Sequence, residues 1–176
     1  MHIFRILLVV LAGLVLTACD SKFQTYNGPT VNMIEVHKSE RKMYMLHDGQ
    51  VVKTYDINLG GNPIGHKQFE GDMKTPEGVY YISTKNPKSS FHLSLQISYP
   101  NAADRAYAAA QGKQPGGDIF IHGGPRTKTP QPKRRFWQTA KEKPSDWTAG
   151  CIAVTDREIE EIYSMVKTGT TIIIMP

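Results

Sequence analysis

Two short stretches hold residues whose types and spacing could do chemistry. One is Ile119-Phe120-Ile121-His122-Gly123-Gly124, a strand-like run that stops at two glycines. The other is Thr148-Ala149-Gly150-Cys151, followed by Ile152-Ala153-Val154. On a strand, side chains alternate between faces, so His122 emerges beside Phe120 at the strand's end. The glycines after it let backbone or substrate come close. Gly150 permits a tight bend before Cys151, where consecutive amides of Thr148, Ala149 and Gly150 could face a developing oxyanion, with Gly123 in a supporting place. A free thiol has a pKa of about 8.5 and is a poor nucleophile near neutrality. An imidazole beside it takes the proton, stabilises the thiolate, and later protonates a leaving amine. The pair would perform acyl transfer through a thioester, with Cys151 as nucleophile and His122 as base and acid.

Simpler readings of the same residues stay open. A lone cysteine is often a buried structural residue, and a lone histidine at a strand end is often held by a hydrogen bond. Metal ligation is not expected, because Cys151 has no CxxC partner and His122 no second ligand at helical spacing. No cofactor is called for. His66 in the Gly/Pro-rich loop, Lys74, Thr75, Gly124 and Trp147 are candidates to line a substrate cleft.

The elements that must position these residues read as mainly β. Residues 31–39 form a strand, and Asp48-Gly49 between two strand-like runs marks a hairpin. In its second arm Tyr55, Ile57 and Leu59 alternate with polar residues, so one face is buried. Residues 60–78 are loop. Strands follow at 79–83, at 91–99 with Phe91, Leu93, Leu95 and Ile97 on one face, and at 116–124. Residues 101–113 form a short helix capped by Asn101. Thr155 with Glu158 forms a capping box for a second helix. That helix puts Ile159, Ile162, Tyr163 and Val166 on one face and stops at Gly169. Residues 170–176 are β-branched and apolar, which indicates a central strand covered on both faces. A helical turn could form within 136–143. The pattern predicts a sandwich or barrel of mixed strands with two or three short helices.

The chain has 176 residues, enough for one domain with a proper core. Its start is a separate matter. Ile6 to Leu16 is an apolar run with the length of a signal-peptide core, too short to span a bilayer. It ends in Leu16-Thr17-Ala18-Cys19, which resembles a bacterial lipobox; an ordinary signal peptide is the alternative. Residues 1–18 would then be the leader, 19–30 a tether, and 31–176 the domain. Cys19 would carry the lipid, holding the domain on the periplasmic side of a bacterial envelope, with Asp20 weakly favouring the inner membrane. Cys151 would be left as the one free thiol. Losing residues 1–18 removes one base, Arg5, and no acid, leaving 20 basic against 16 acidic residues, net +4. This mild charge suits partners carrying carboxylates or phosphates and lacks the clustered stripe of a nucleic-acid binder. A monomer is expected.

His122-Gly123, then Thr148-Ala149-Gly150-Cys151, resembles the motif of the YkuD-type L,D-transpeptidases of bacterial cell walls. The runs 71–82, 91–101 and 169–176 are similar to that family as well. The resemblance implies an L,D-transpeptidase-like catalytic domain. It also implies that Cys151 attacks the L,D amide before the terminal D-residue of a peptidoglycan stem. The acyl group passes to an amine of another stem, to a protein lysine, or to water, the last being hydrolysis. Two departures stand out. Ala153 occupies a position where many members have arginine. The interval from His122 to Cys151 is 29 positions long, with basic residues Arg126, Lys128, Lys133, Arg134, Arg135, Lys141 and Lys143 in it. That loop could be a lid or a plain solvated segment. A non-catalytic peptidoglycan-binding lipoprotein is the rival reading. A sortase-like ligase is a weaker one, since its nearest arginine, Arg157, falls on the helix after the thiol.

Overall fold

The hairpin at Asp48-Gly49 starts the sheet. Both residues have positive φ, 48° and 78°, the backbone a two-residue turn between twisted strands requires. The turn joins β2 (Lys42–His47) to β3 (Gln50–Asp56), and β2 pairs in turn with β1 (Met33–His37). The computed structural model describes residues 21–124 and 146–176. The leader 1–18, Cys19, Asp20, the helical turn at 136–143 and the basic segment up to Lys143 lie outside the described residues.

The remaining strands are β4 (Gly78–Asn86), β5 (Ser94–Ile97), β6 (Phe120–His122), β7 (Ile152–Ala153) and β8 (Thr171–Met175). They form one eight-stranded mixed sheet in the order β3-β2-β1-β8-β4-β5-β6-β7. β8 runs parallel to β1 and antiparallel to β4. A register shift between Ile82 and Thr84 in β4 marks where the sheet bends. The bend carries the far strands round until the chain just past β3 meets β7. Asn58 and Ala153 exchange backbone hydrogen bonds of 2.9 and 2.8 Å. The Thr148 amide donates to Leu59 at 3.1 Å, and the Gly61 amide to Thr148 at 3.0 Å. The sheet is thereby curled and nearly closed, between the sandwich and the barrel expected from sequence.

Inside lie Ile34, Val36, Met43, Met45, Tyr55, Ile57, Leu59, Ile82, Leu95, Ile121, Ile152 and Ile172, with Ile159 and Ile162 from a helix. That helix, α2 (Asp156–Met165), follows α1 (Ala102–Ala110) in the chain. Each opens with a reciprocal capping box, Asn101 with Asp104 and Thr155 with Glu158. A cap of this kind contributes about 1 kcal/mol.

Four details differ from the sequence expectation. The strand predicted over 91–99 is shortened to Ser94–Ile97, because His92 has φ 70° and turns the chain ahead of it. α2 gives way to extended backbone at Val166, before Gly169; Gly169 instead turns the chain into β8 and donates to Ile82 at 2.8 Å. β8 is central, yet only Ile172 and Ile174 are buried while Ile173 is half-covered, so one face carries the core. Residues 21–26, expected as part of a bare tether, lie along α2. Gln24 donates to Glu160 at 3.1 Å and Phe23 meets the Tyr163 ring at 6.2 Å. Among the described residues no helix is long and apolar enough to cross a membrane.

Candidate active site

β6 and β7 pair in parallel, with Ile121 beside Ile152 and His122 beside Ala153. Ile121 and Ile152 face the core, so His122, Phe120, Cys151 and Ala153 share the opposite face. Cys151 sits level with Phe120, one strand across and two residues back from His122. Strand spacing and rise put the two α-carbons about 8 Å apart. A 29-residue interval in sequence thus becomes a neighbouring position in space.

His122 is buried, at 2% exposure. The Phe91 ring lies 4.3 Å from it and the Trp147 ring 5.7 Å away, edge-on. Its Nδ1 meets the Gly123 carbonyl at 2.6 Å. A carbonyl can only accept, so Nδ1 carries the hydrogen and Nε2 keeps the lone pair of the neutral ring. Burial lowers the His122 pKa below the ordinary imidazole value, against the raising effect of the Gly123 carbonyl.

The half-buried Cys151 thiol donates to the Asp118 carbonyl at 3.4 Å. The expected bond to the imidazole is not formed in this rotamer. Burial pushes the thiol pKa up; the Phe120 amide pulls it down, the Asp118 charge raises it, and the Lys67 charge lowers it. Desolvation by burial disfavours the charged form of each group.

The loop leading to Cys151 is tied down at several points. Asp146 Oδ1 accepts the Leu59 amide at 2.8 Å, and its carboxylate takes Arg41 through Nε at 3.1 Å and Nη2 at 2.7 Å. Thr148 Oγ1 donates to the Cys151 carbonyl at 2.7 Å and accepts the Gly150 amide at 3.1 Å. Gly150 has φ 136°, and a Cβ there would come within 2.6 Å of the Lys74 carbonyl. Only glycine fits that bend.

Several expected roles change with these bonds. The Thr148 amide is spent on the Leu59 carbonyl and that of Gly150 on the Thr148 hydroxyl. The Gly123 amide donates to Phe91 at 3.1 Å, and that of Gly124 to Asp156 at 2.8 Å. These four hold the scaffold and do not point at an oxyanion; Ala149 and Cys151 are the amides at the bend still able to serve. Thr75 is fully buried and accepts the Gly60 amide at 3.2 Å, so it cannot touch substrate. The Lys74 ammonium folds back onto the Ile64 carbonyl at 2.7 Å. His66 accepts the Glu77 amide at 2.9 Å and meets Asp104 at 3.1 Å. It lines a separate hollow of about 280 Å³ beside α1 with Lys67, Gln68 and Tyr107. Of the cleft candidates, Trp147 reaches His122. Among the described residues no group of three or more His, Cys, Asp or Glu side chains could hold a metal ion.

Phe91, Asp118, Lys67 and Asp146 went unnoticed as parts of the site. Lys67 is buried and pairs with Asp72 at 2.8 Å, in a loop where Asp72 also accepts the Gln68, Phe69 and Lys74 amides. Those bonds hold Asp72 below the usual carboxylate range against the raising effect of its own burial.

The curled mixed sheet is shared with solved L,D-transpeptidase structures. The sequence model of the YkuD family, the L,D-transpeptidase catalytic domain, matches residues 32–174, and the chain belongs to that family. YafK of Escherichia coli (strain K12), provisionally named an L,D-transpeptidase, is 29% identical over 149 residues, covering 81% of this chain and 50% of YafK. The crystal structure of the helical cell shape determining protein Pgp2 from Campylobacter jejuni superposes with a TM-score of 0.59 at 25% identity, covering 88% of this chain and 51% of that one. An L,D-transpeptidase from Mycobacterium smegmatis shares the fold at 15% identity, with a TM-score of 0.51 over 85% of this chain and 60% of that one. The chain spans about half the length of the curated relatives it matches.

Proposed function

We propose that this protein is a cysteine acyl transferase acting on peptidoglycan stem peptides. The observation that carries the reading is the tautomer of His122: its Nδ1–H is fixed on the Gly123 carbonyl, which leaves Nε2 as a base on the face it shares with Cys151. A different staggered rotamer of Cys151 would release the thiol from Asp118 for proton transfer to that nitrogen. Cys151 then attacks the L,D amide carbonyl as Nε2 takes the thiol proton. The amides of Ala149 and Cys151 receive the oxyanion. Nε2–H protonates the departing amine, and a thioester remains on Cys151. Trp147, 42% exposed beside His122, shields the imidazole from water and offers a flat surface to the substrate.

The thioester is resolved by an amine of a second stem, giving transpeptidation, or by water. Hydrolysis gains support from Ala153. It lies beside His122 on the site's face, and both its backbone groups are bonded to Asn58. Among the described residues, position 153 supplies no long cationic side chain to hold a second peptide there. The reading further places the domain on the periplasmic side of a bacterial envelope, lipid-anchored through Cys19, acting as a monomer. Incubating the protein with purified muropeptides and weighing the products tests the proposal. A cross-linked dimer marks transpeptidation, a shortened stem marks hydrolysis, and unchanged substrate refutes both.

A further inference from the structure

The turn before β5 carries contacts that the acyl-transfer chemistry leaves unused. The alternation of Phe91, Leu93, Leu95 and Ile97 favours an extended strand through all four residues. The chain does not follow it. His92 sits in the left-handed region at φ 70°, a conformation that costs energy and concentrates at functional sites. Its ring is clamped by Glu160 of α2, with Nε2 2.7 Å from Oε1. The other carboxylate oxygen accepts Gln24, and Lys22 donates to the His92 carbonyl at 3.3 Å.

Phe91 lies directly before this turn, which the Leu93 amide also closes on the Phe91 carbonyl at 2.9 Å, and it touches the site twice. Its ring lies 4.3 Å from the His122 ring. Its carbonyl accepts the Gly123 amide at 3.1 Å, and the carbonyl of that same glycine fixes His122 Nδ1. We infer that Glu160 is a positioning residue: by holding His92 in a turn its sequence disfavours, it keeps Phe91 against His122 and so sets the orientation of the imidazole. Without the clamp the backbone relaxes toward the extended form, and Phe91 leaves both contacts. The inference rests on the reading of His122 as the base. The charged and titratable groups around the clamp are Glu160, His92 and Lys22; those near the thiol are Asp118, Lys67 and His122 itself.

The test uses the full chain and needs no peptide substrate. The His122 ring is titrated by NMR, and Cys151 alkylation by iodoacetamide is followed from about pH 5 to about pH 9. The variants are Glu160→Ala, Glu160→Gln and, as the limit, His122→Ala. In Glu160→Ala the His122 midpoint rises toward the ordinary value of about 6.5 as water reaches the ring. Alkylation near neutrality falls about tenfold, toward the His122→Ala level. Glu160→Gln retains an acceptor for His92 and restores both. A folded Glu160→Ala with an unmoved His122 midpoint and alkylation within about twofold of wild type overturns the inference. So does a Glu160→Gln as impaired as the alanine variant, since charge and not held geometry would then matter. If Glu160→Ala does not fold, Phe91→Leu takes its place, and an unmoved midpoint there is equally fatal. Wild-type alkylation indifferent to His122→Ala would sink the base assignment instead, while the NMR midpoints would still judge the clamp.

Discussion

His122 and Gly123, neighbours in the chain, are joined by a second link: the imidazole Nδ1–H donates to the carbonyl one residue on, across 2.6 Å. A backbone carbonyl thus does what a carboxylate does in many catalytic triads. It fixes ring and tautomer without bringing a negative charge into a buried place. That absence of charge fits the direction of the His122 pKa, which burial lowers.

The acid limb of the reaction should follow from this. The base must be neutral, and its pKa lies below the ordinary value of about 6.5. Turnover therefore persists under mildly acidic conditions where an exposed imidazole would be charged. A pH profile of kcat/KM on a stem peptide checks it, and an acid limb above pH 6.5 contradicts the geometry.

Stability has a matching window. The unfolded imidazole binds its proton below about pH 6.5 while the folded one resists, so acid favours unfolding and stability falls as pH drops through that value. The folded thiol holds its proton above the unfolded value of about 8.5, so stability falls again as pH rises past it. Urea unfolding across pH should show the His122→Phe variant losing the acid slope and Cys151→Ala the alkaline one.

Thr148→Val should loosen the nucleophile's loop. The hydroxyl serves the Cys151 carbonyl and the Gly150 amide at once, at 4% exposure. Valine keeps the shape and leaves both groups unpaired, at a cost of about 2 kcal/mol, or a melting midpoint about 5 °C lower. Thr148→Ser should recover most of it in a calorimetric scan.

Asp146→Ala removes the tie between the incoming loop and both Arg41 and Leu59. The expected loss is about 1–3 kcal/mol, read by urea unfolding. Activity should drop further than the folded fraction alone explains, because Cys151 follows five residues later.

Cys151→Ala should abolish turnover on muropeptides with an unchanged circular dichroism spectrum. Gly150→Ala should do so with the thiol still in place, since the added methyl meets the Lys74 carbonyl in a backbone conformation alanine resists, at about 1–3 kcal/mol. Intact turnover in either variant contradicts the assignment.

Local grammar carried much of this fold into the sequence. The Asp48-Gly49 turn, the caps Asn101 and Thr155, and the alternation through Tyr55, Ile57 and Leu59 each rest on neighbours a few residues apart, and each stands in the structure. His92 shows where that reasoning stops: Glu160, 68 positions away, overrides its strand preference. The candidate pair was readable from residue type and from the bend-forming glycines. Its supports were not. Nothing next to Asp146 in sequence marks it as an anchor, and the closure that makes it one depends on Leu59 and Arg41 arriving from the opposite end of the sheet.

The placement of β8 between β1 and β4 has a bearing on how the molecule is made. β1 to β3 and β4 to β7 are each contiguous in the chain, yet their shared border is β8, which follows all of them in sequence. Until β8 emerges, a nascent chain holds two sheet fragments without the strand that lies between them, and assembly waits on contacts of great sequence separation, which form slowly. Deleting residues of β8 should therefore cost the whole domain, although the candidate site lies on β6 and β7, beyond β4 and β5.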